Sequence, residues 1–238
     1  VISRMNFFEN LIKKSQGEVY VIAEACDNHM GSLDIAKSLV NAAVYSGADA
    51  VKFQHHIANE EMLEDTPMSE NFSEPLYEFL NRNSLTLDQH HELAKYCKKK
   101  KITYLCTPFS AKAASEISDL VPFFKIGSGE FQDIWLLDQL SELKKPLLLS
   151  SGMCTLEEIK ENINYLINKE FDFAIMNCLS EYPPEYSDMN LKVITVLKEL
   201  YPDIEIGHSD HSPEIYTSIV AASLGANIIE KHITISKF

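Results

Sequence analysis

The sequence lacks several features that would assign it to a particular class of protein. Its five cysteines, at positions 26, 97, 106, 154 and 178, include no C-x-x-C pair. Scattered cysteines in odd number indicate free thiols rather than a disulfide framework. No apolar run approaches the roughly 18 residues that a membrane-spanning helix needs. No G-x-G-x-x-G follows the first apolar run, which argues against a dinucleotide-binding fold. We therefore expect a soluble protein of the reducing cytoplasm.

Basic residues are scarce. The chain has 21 lysines and arginines against 35 aspartates and glutamates, which gives a formal net charge of −14. A surface of that sign repels phosphate backbones and anionic lipids, so the composition excludes nucleic acid and membranes as first-choice partners. An anionic small substrate would need a locally basic pocket.

Short apolar runs alternate with helical patterns from residue 19 onward. We count eight strand-like runs and seven helices, at about 30 residues per unit. This alternation predicts an α/β fold, a (β/α)8 TIM barrel, rather than an open sheet whose edges need protection. We predict an N-terminal extension over residues 1–18 and the barrel over 19–238. The chain stops six residues after His232, so the barrel is expected to be truncated before an eighth helix.

Local patterns predict the bounds of several helices, strands and loops. Residues 55–86 read as a long polar loop, of the kind that covers or carries a site. Thr155 and Glu158 form a capping box for the fifth helix, and the basic run at residues 98–101 suits a helix C-terminus. The helix before the last strand is predicted over Pro213–Leu224, because proline favours the first turn. The predicted strands are Val19–Ala25, Ala48–Gln54, Ile102–Cys106, Phe123–Ile126, Pro146–Leu149, Phe173–Asn177, Ile204–Gly207 and Asn227–Glu230.

Polar residues collect where the predicted strands end, and in a barrel of this kind the strand ends supply the active site. Lysines, hydroxyl groups and glycines are the groups that bind an oxyanion or a phosphate. A single serine here can equally cap a helix, and a single lysine can pack its stem and reach water. The residues at the strand ends are Glu24, Lys52, Gln54, Thr107, Lys125, Ser128, Glu130, Ser150, Ser151, Asn177, Ser180, Tyr182, Ser209, Asp210, His211, Lys231 and His232.

Two histidines, His211 and His232, follow neighbouring strands. Imidazoles on one rim suit a divalent metal, so we predict that these two residues bind it. The nearby histidines at positions 29, 55, 56 and 208 are weaker candidates. Glu24 ends a buried strand and should pair with a lysine or face the substrate, because an unpaired buried carboxylate is costly. The thiols of Cys26 and Cys178 are expected to be small buried groups rather than nucleophiles.

The same strand ends carry a family resemblance. From about Val19 to the last residue, the chain resembles the sialic acid synthase (N-acetylneuraminate synthase) family. That family has a TIM barrel and condenses phosphoenolpyruvate with an open-chain N-acetylated amino sugar, such as N-acetylmannosamine. The resemblance implies a sialic acid and phosphate as products. The strings that carry it, in order, are I-A-E-A-C-D-N-H-M-G-S-L, G-A-D-A-V-K-F-Q, T-P-F-S, K-I-G-S-G-E, L-S-S-G-M, E-Y-P, I-G-H-S-D-H-S and E-K-H-I-T.

The resemblance also implies roles for particular residues. His211 and His232 would hold Mn²⁺ or another divalent ion such as Mg²⁺ or Co²⁺, and Glu24 would act as the acid/base. Gln54, Glu130 and Tyr182 would contact the sugar, and the full-length protein would be a homodimer. The residues that would bind phosphoenolpyruvate are Lys52, Thr107, Lys125, Ser128, Ser150, Ser180 and Ser209.

The chain departs from the family's pattern at a few points. Ala25 and Cys26 replace an isoleucine and a glycine, and Asn177 stands where some members have histidine. The family's C-terminal antifreeze-like domain, which supplies an arginine to the partner's site, is absent from these residues. The alternatives are a legionaminate- or pseudaminate-type synthase, or a non-catalytic sugar-binding relative. The presence of both lysines and both histidines disfavours the latter. A metal-dependent amidohydrolase is disfavoured because the first strand lacks an H-x-H pair.

Overall fold

The computed structural model describes residues 7–14, 19–68 and 73–236. Within these ranges eight parallel strands lie in the order β3-β2-β1-β8-β7-β6-β5-β4, and the two end strands, β3 and β4, contact each other. The sheet therefore curls into a nearly closed barrel, and the predicted (β/α)8 architecture is confirmed. The strands are β1 (Tyr20–Glu24), β2 (Ala50–His55), β3 (Thr103–Pro108), β4 (Phe124–Ile126), β5 (Leu147–Ser150), β6 (Phe173–Cys178), β7 (Glu205–Asp210) and β8 (Ile228–His232).

Helices surround the strands. Their bounds are α1 (Phe7–Lys14), α2 (Leu33–Tyr45), α3 (Ala58–Glu61), α4 (Leu76–Asn83), α5 (Leu87–Lys100), α6 (Ala111–Ile117), α7 (Ile134–Leu143), α8 (Leu156–Asn168), α9 (Lys192–Leu200) and α10 (Tyr216–Ser223). The predicted capping box of α8 is confirmed, because Thr155 Oγ1 accepts from the Glu158 amide at 3.3 Å and Glu158 Oε2 accepts from the Thr155 amide at 2.7 Å. No helix in the described ranges is long and apolar enough to cross a bilayer.

Strand β7 ends at Asp210 rather than at the predicted Gly207, and β8 ends at His232 rather than at Glu230. One predicted loop and one predicted helix start are also wrong. The segment from His55 to Thr86 is not one polar loop: α3 and α4 lie within it, and α4 begins directly after Pro75, which stands at its N-cap position. Residues 69–72 of the predicted loop lie outside the described residues. The helix predicted from Pro213 begins only at Tyr216. The Asp210 carboxylate holds the preceding segment in turns, since it accepts from the Ser212 amide at 2.8 Å.

Helix α1, which the sequence patterns did not predict, covers the amino-terminal end of the barrel. Phe8 is fully buried, and its ring meets the Phe123 ring edge-on with centroids 5.1 Å apart. The Phe7 amide donates to Asp172 Oδ2 at 3.0 Å, which ties the helix to the loop before β6. The apolar cluster around Phe8 contains Tyr20, Ile22, Ala50, Leu105, Phe123, Leu148, Ala174, Met176 and Ile228. Part of the predicted N-terminal extension thus closes the bottom of the barrel.

The larger core lies between the outer face of the barrel and the helices. Alternate strand residues face outward and meet the apolar stripe of each helix, which is the burial that stabilises both layers. All five cysteines are free, as predicted, and two of them, Cys97 and Cys106, are buried in this core. Helix residues that contribute include Leu39, Leu93, Ile117, Leu137, Ile163, Leu197 and Ala221.

Candidate functional site

The inward-facing residues change from apolar to charged toward the carboxyl ends of the strands. Side chains of a strand alternate between its two faces, so the inward residue after each apolar one lies two positions further along. At those positions the chain places ionisable groups and hydroxyls instead of aliphatic groups. Each is at most 5% exposed, and they are Glu24, Lys52, Thr107, Lys125, Ser150, Ser209 and Glu230. We call this set the polar layer.

Lys52, from β2, is the most heavily engaged cation of the polar layer. Its Nζ contacts the Glu24 carboxylate and donates to Thr107 Oγ1 at 2.8 Å, and it lies 3.6 Å from Glu230 Oε2. Burial alone would lower the pKa of Lys52, but the carboxylates of Glu230 and Glu24 outweigh it and raise that pKa above its ordinary value. Lys52 is therefore a fixed ammonium group. The prediction that Glu24 pairs with a lysine is confirmed.

Lys125, from β4, is the second buried ammonium group. Its Nζ donates to Ser150 Oγ at 2.6 Å and to the Ile126 carbonyl at 3.1 Å, and Glu230 Oε1 lies 3.7 Å away. Burial lowers the pKa of Lys125, because desolvation disfavours the charged form more than Glu230 favours it. Lys125 lies near one carboxylate, whereas Lys52 lies near two. A bound anion would therefore add more to the stability of the charged form of Lys125.

Glu230, the middle residue of β8, is a charged member of the polar layer that the sequence patterns did not predict. It stands between the two lysines, and Ser209 Oγ donates to its Oε1 at 3.0 Å. Burial would raise the pKa of Glu230, but Lys125 and Lys52 lower it to about 2. The two-residue alternation from inward-facing Ile228 is a signal that Glu230 faces the barrel interior. That alternation could not reveal that strands β2, β4 and β8 bring their charges together across the barrel axis.

Glu24 differs from Glu230 in its protonation. Burial, with a smaller contribution from the Glu230 charge, raises the pKa of Glu24 to about 7 in spite of its contact with Lys52. A carboxyl group with a pKa near neutrality can both donate and accept a proton at physiological pH. That is the property an acid/base residue needs, and the acid/base role of Glu24 stays a prediction.

Two further predicted residues, Ser128 and Ser180, form a hydroxyl-lined recess beside Gly152. A Cβ placed on Gly152 would lie 2.5 Å from both Ser128 Oγ and Ser180 Oγ, so only glycine lets these two hydroxyl groups converge. Ser128 also donates to Cys178 Sγ at 3.5 Å. Because Gly152 follows Ser150 by two residues, the recess continues from the Lys125–Ser150 pair. Hydroxyl groups and an exposed backbone beside an ammonium group suit a phosphate or a carboxylate.

The three residues predicted to contact a sugar lie in two places. The Gln54 amide oxygen accepts from Cys26 Sγ at 3.4 Å, and the Glu130 carboxylate sits over Gly127, where a Cβ would lie 2.5 Å from its Oε2. Burial raises the pKa of Glu130. Glu130 also lines a cavity of about 410 Å³ beside Phe109. Tyr182 lies apart, against the two histidines.

His211 and His232 converge as predicted. Their ring centroids are 5.4 Å apart at 61°, and the Tyr182 ring stacks on His211 at 4.1 Å. The Nδ1–H of His211 donates to the Leu179 carbonyl at 2.7 Å, which leaves its Nε2 lone pair for a ligand. The described residues contain no group of three or more side chains arranged to hold a metal. Two imidazoles fit a divalent ion whose other positions are filled by substrate or water, and this role stays a prediction.

The other histidines have partners of their own. Nδ1 of His208 lies 3.1 Å from the Asn177 carbonyl, His29 Nδ1 accepts from the Gly31 amide at 3.0 Å, and His55 Nε2 lies 2.8 Å from Glu116 Oε2. Two strand-end residues are likewise structural. Asp210 accepts from Thr217 Oγ1 at 2.6 Å and from Lys231 Nζ at 3.0 Å, which anchors the start of α10.

The backbone conformation at Cys26 explains why the family's motif usually has glycine at this position. Its φ of +48° lies in the left-handed region that favours glycine. Burial raises the pKa of the Cys26 thiol to about 12, and it also raises the pKa of Cys178. Neither thiol forms a thiolate readily, in agreement with the expectation that they are not nucleophiles.

The family model described as the NeuB family matches residues 39–238 of the chain. The chain belongs to the NeuB family. It is 36% identical over 231 residues to the N,N'-diacetyllegionaminic acid synthase of Campylobacter jejuni, an alignment that covers 91% of the chain and 68% of that protein. It is 33% identical over 228 residues to the human N-acetylneuraminate-9-phosphate synthase, with 93% of the chain and 64% of the relative covered.

Among solved structures, the N-acetylneuraminic acid synthetase of Leptospira borgpetersenii in complex with citrate matches with a TM-score of 0.82 at 31% identity. That match covers 92% of the chain and 74% of the solved one. The chain spans 68% and 64% of the length of the two synthases named above from Campylobacter jejuni and human, respectively.

Proposed function

We propose that the protein condenses phosphoenolpyruvate with the open-chain form of an N-acylated amino sugar, to give a nonulosonic acid of the sialic acid kind and inorganic phosphate. One observation carries the proposal: two buried ammonium groups, Lys52 and Lys125, stand on either side of Glu230 and each binds a hydroxyl group. Membership of a family whose relatives include sialic acid and legionaminic acid synthases supports it.

The charge of the polar layer matches phosphoenolpyruvate, which carries a carboxylate and a phosphate. With Glu24 protonated, the two lysines and the Glu230 carboxylate sum to a net charge of +1. Buried charges interact more strongly than solvated ones, because little water screens them. Binding of the anion should in turn favour the protonated form of Glu24. The acidic surface of the protein is thus compatible with an anionic substrate.

In the proposed reaction, C3 of phosphoenolpyruvate forms a bond to the aldehyde carbon, and Glu24 gives its proton to the aldehyde oxygen. Water then attacks the cationic C2 and passes a proton to the Glu24 carboxylate. The C2–O bond to phosphate then breaks as the new C2 hydroxyl becomes the ketone and gives its proton to the departing phosphate, whose charge is stabilised by Lys52 and Lys125. A divalent ion such as Mn²⁺, Mg²⁺ or Co²⁺ held by His211 and His232 would supply Lewis acidity toward the aldehyde oxygen.

The cavity that Glu130 lines favours an uncharged acceptor. Glu61, Glu130 and Asp133 are among its lining residues, and the lysine that lines it, Lys112, is already 3.4 Å from Glu60. A second phosphate on the acceptor would meet like charge there, which costs binding energy. We therefore propose an unphosphorylated N-acyl sugar, either N-acetylmannosamine or the diacylated precursor of a legionaminic or pseudaminic acid. The homodimer and the cytoplasmic location stay predictions.

The test is phosphate release by the purified protein, with product mass measured for a series of acceptors. We expect release only when phosphoenolpyruvate, an N-acylated amino sugar and Mn²⁺ are all present, and we expect EDTA to abolish it. The acceptor that gives a product heavier than itself by one pyruvate unit identifies the substrate. Release without an acceptor, or release unaffected by EDTA, would contradict the mechanism. A protein that binds the sugar but releases nothing would favour the non-catalytic alternative.

A further inference from the structure

His56 and Glu61 form a nearly buried pair that the proposed reaction does not use. Their side chains are 7% and 6% exposed, and His56 Nδ1 lies 2.9 Å from Glu61 Oε2. The His56 ring stacks on Phe109, with centroids 4.2 Å apart and planes 16° from parallel. An imidazole held in its plane by an aromatic ring and along one bond direction by a carboxylate has a fixed orientation.

The other nitrogen of that ring points to Gln54. His56 Nε2 lies 3.1 Å from Gln54 Oε1, and Cys26 Sγ donates to the same oxygen at 3.4 Å. Both contacts lie on the oxygen side of the amide, so the Gln54 NH₂ group is turned away from His56 and Cys26. An amide fixed at its oxygen presents its two N–H donors in one direction.

The position of Gln54 in the barrel indicates what its N–H donors face. Gln54 follows Lys52 by two residues on β2, so it faces the barrel interior one step beyond the polar layer. Glu61 lines the same cavity as Glu130, and so does Phe109, the residue on which the His56 ring stacks. Gln54 therefore stands between the proposed anion pocket and the space left for the acceptor.

We infer that His56, oriented by Glu61, is a positioning residue that directs the Gln54 amide toward the amino-sugar acceptor. The inference rests on the proposed function, and it concerns the acceptor half of the site alone. The Gln54 NH₂ group would donate to a hydroxyl or acyl oxygen of the sugar. Glu61 contributes from a distance: its Oε2 holds the ring, while its Oε1 is buried without a hydrogen-bond partner among the described residues.

The neighbouring residue provides a matched control. His55 also pairs with a glutamate, Glu116, at 2.8 Å, and is also buried. It points to the opposite face of β2, where its ring packs against His90 at 4.6 Å. The two histidines thus have the same chemistry at the end of one strand, with His55 its last residue and His56 the next, and they differ in the face they occupy. A general effect of losing a buried histidine would appear when either His55 or His56 is replaced.

The experiment measures KM for phosphoenolpyruvate and for the acceptor separately. His56→Phe keeps a ring against Phe109 but removes both nitrogens. We expect it to raise the acceptor KM about tenfold, the value of one directed hydrogen bond, and to leave the phosphoenolpyruvate KM unchanged. Glu61→Leu should act in the same direction. Glu61→Gln, which keeps an acceptor oxygen for Nδ1, should restore most of the loss.

A double-variant cycle separates positioning from general stability. If His56 acts through Gln54, then His56→Phe should add nothing to the effect of Gln54→Leu on the acceptor KM. Additive effects, equal changes in both KM values, or the same acceptor effect from His55→Phe would overturn the inference. Should His56→Phe not fold, Glu61→Leu and its Glu61→Gln rescue decide the same question. If the parent protein releases no phosphate with any acceptor, the proposed function and this inference are overturned together. If the parent is active and the variants leave the acceptor KM unchanged, the inference alone is overturned.

Discussion

The inside of this barrel has two layers built on the same strands, two residues apart. In the lower layer the inward-facing residues are Ile22, Ala50, Leu105, Phe123, Leu148 and Ile228, and they pack with Phe8 of α1. The layer above is the polar layer of Glu24, Lys52, Thr107, Lys125, Ser150, Ser209 and Glu230. Both layers are buried to a similar degree, so exposure does not distinguish them.

The two layers differ in what their burial does to the free energy of folding. Apolar groups in the lower layer gain from leaving water, whereas the buried charges above must recover their desolvation cost from one another. The polar layer therefore contributes less to the stability of the barrel than an apolar layer would, which indicates that its role is in binding and chemistry. We expect substitutions in the lower layer to change stability alone and substitutions in the polar layer to change activity as well, and the following predictions test that division.

The largest effect should follow from Lys52→Met. The substitution preserves the aliphatic stem but removes an ammonium group that contacts Glu24 and lies 3.6 Å from Glu230. Phosphate release should fall at least about a hundredfold, because charge on the departing phosphate loses a partner. The free energy of unfolding, measured in urea, should fall by about 3–5 kcal/mol, the usual result of leaving one partner of a buried ion pair alone.

The control for that variant is Lys169→Met. Lys169 pairs with Asp138 at 2.7 Å on the surface, where both side chains are about half exposed. Phosphate release should be unchanged, since the pair lies outside the barrel. A Lys52→Met protein that retained the parent's rate of phosphate release would remove the basis for the anion pocket.

The next effect should come from Phe8→Ala in the lower layer. Truncation of this fully buried ring leaves a cavity against Phe123 and should cost about 3–4 kcal/mol in the free energy of unfolding. At temperatures where the variant stays folded, kcat should equal that of the parent. Phe7→Ala is the matched control: Phe7 is only half buried, so its loss should destabilise less. A lost kcat in folded Phe8→Ala would show that the two layers are coupled.

The smallest effect concerns a polar group buried outside the barrel. His90 is fully buried, its Nδ1 lies 2.7 Å from the Tyr104 hydroxyl, and burial lowers its pKa from 6.5 to about 3. The unfolded chain thus takes up a proton below pH 6.5 that the folded chain does not. This histidine's contribution to stability is present above pH 6.5 and is lost as the pH falls toward 3, by about 2 kcal/mol at pH 5.

His90→Asn tests this, because asparagine keeps a partner for Tyr104 and does not titrate. Urea unfolding at pH 7 and pH 5 should show a smaller loss of stability in the variant than in the parent. Glu24 acts in the opposite sense, since a pKa raised to about 7 favours the folded state on acidification, but it is common to both proteins. The difference between the two proteins therefore isolates His90. Identical pH dependence in both would contradict the assignment.

Much of the fold could be read from the order of residues. Helix starts such as Thr155 with Glu158, and the strand ends that carry Glu24, Lys52 and Lys125, depend on local spacing that the sequence displays directly. Helix α1 escaped because its two phenylalanines gain their burial from Phe123, a residue far away in the chain. The start of α10 was misplaced because Asp210 competes for the backbone of the preceding turn.

By itself, the sequence determined the strand and helix alternation, the inward position of the lysines and the presence of two histidines at neighbouring strand ends. Only the tertiary structure decided which charges meet. Glu230 stands between Lys52 and Lys125, and His56 rather than His55 turns toward Gln54. The physical reason is that pairing across the barrel axis depends on the curvature and register of the strands. Those quantities arise from the whole closed sheet and from no single segment of the chain.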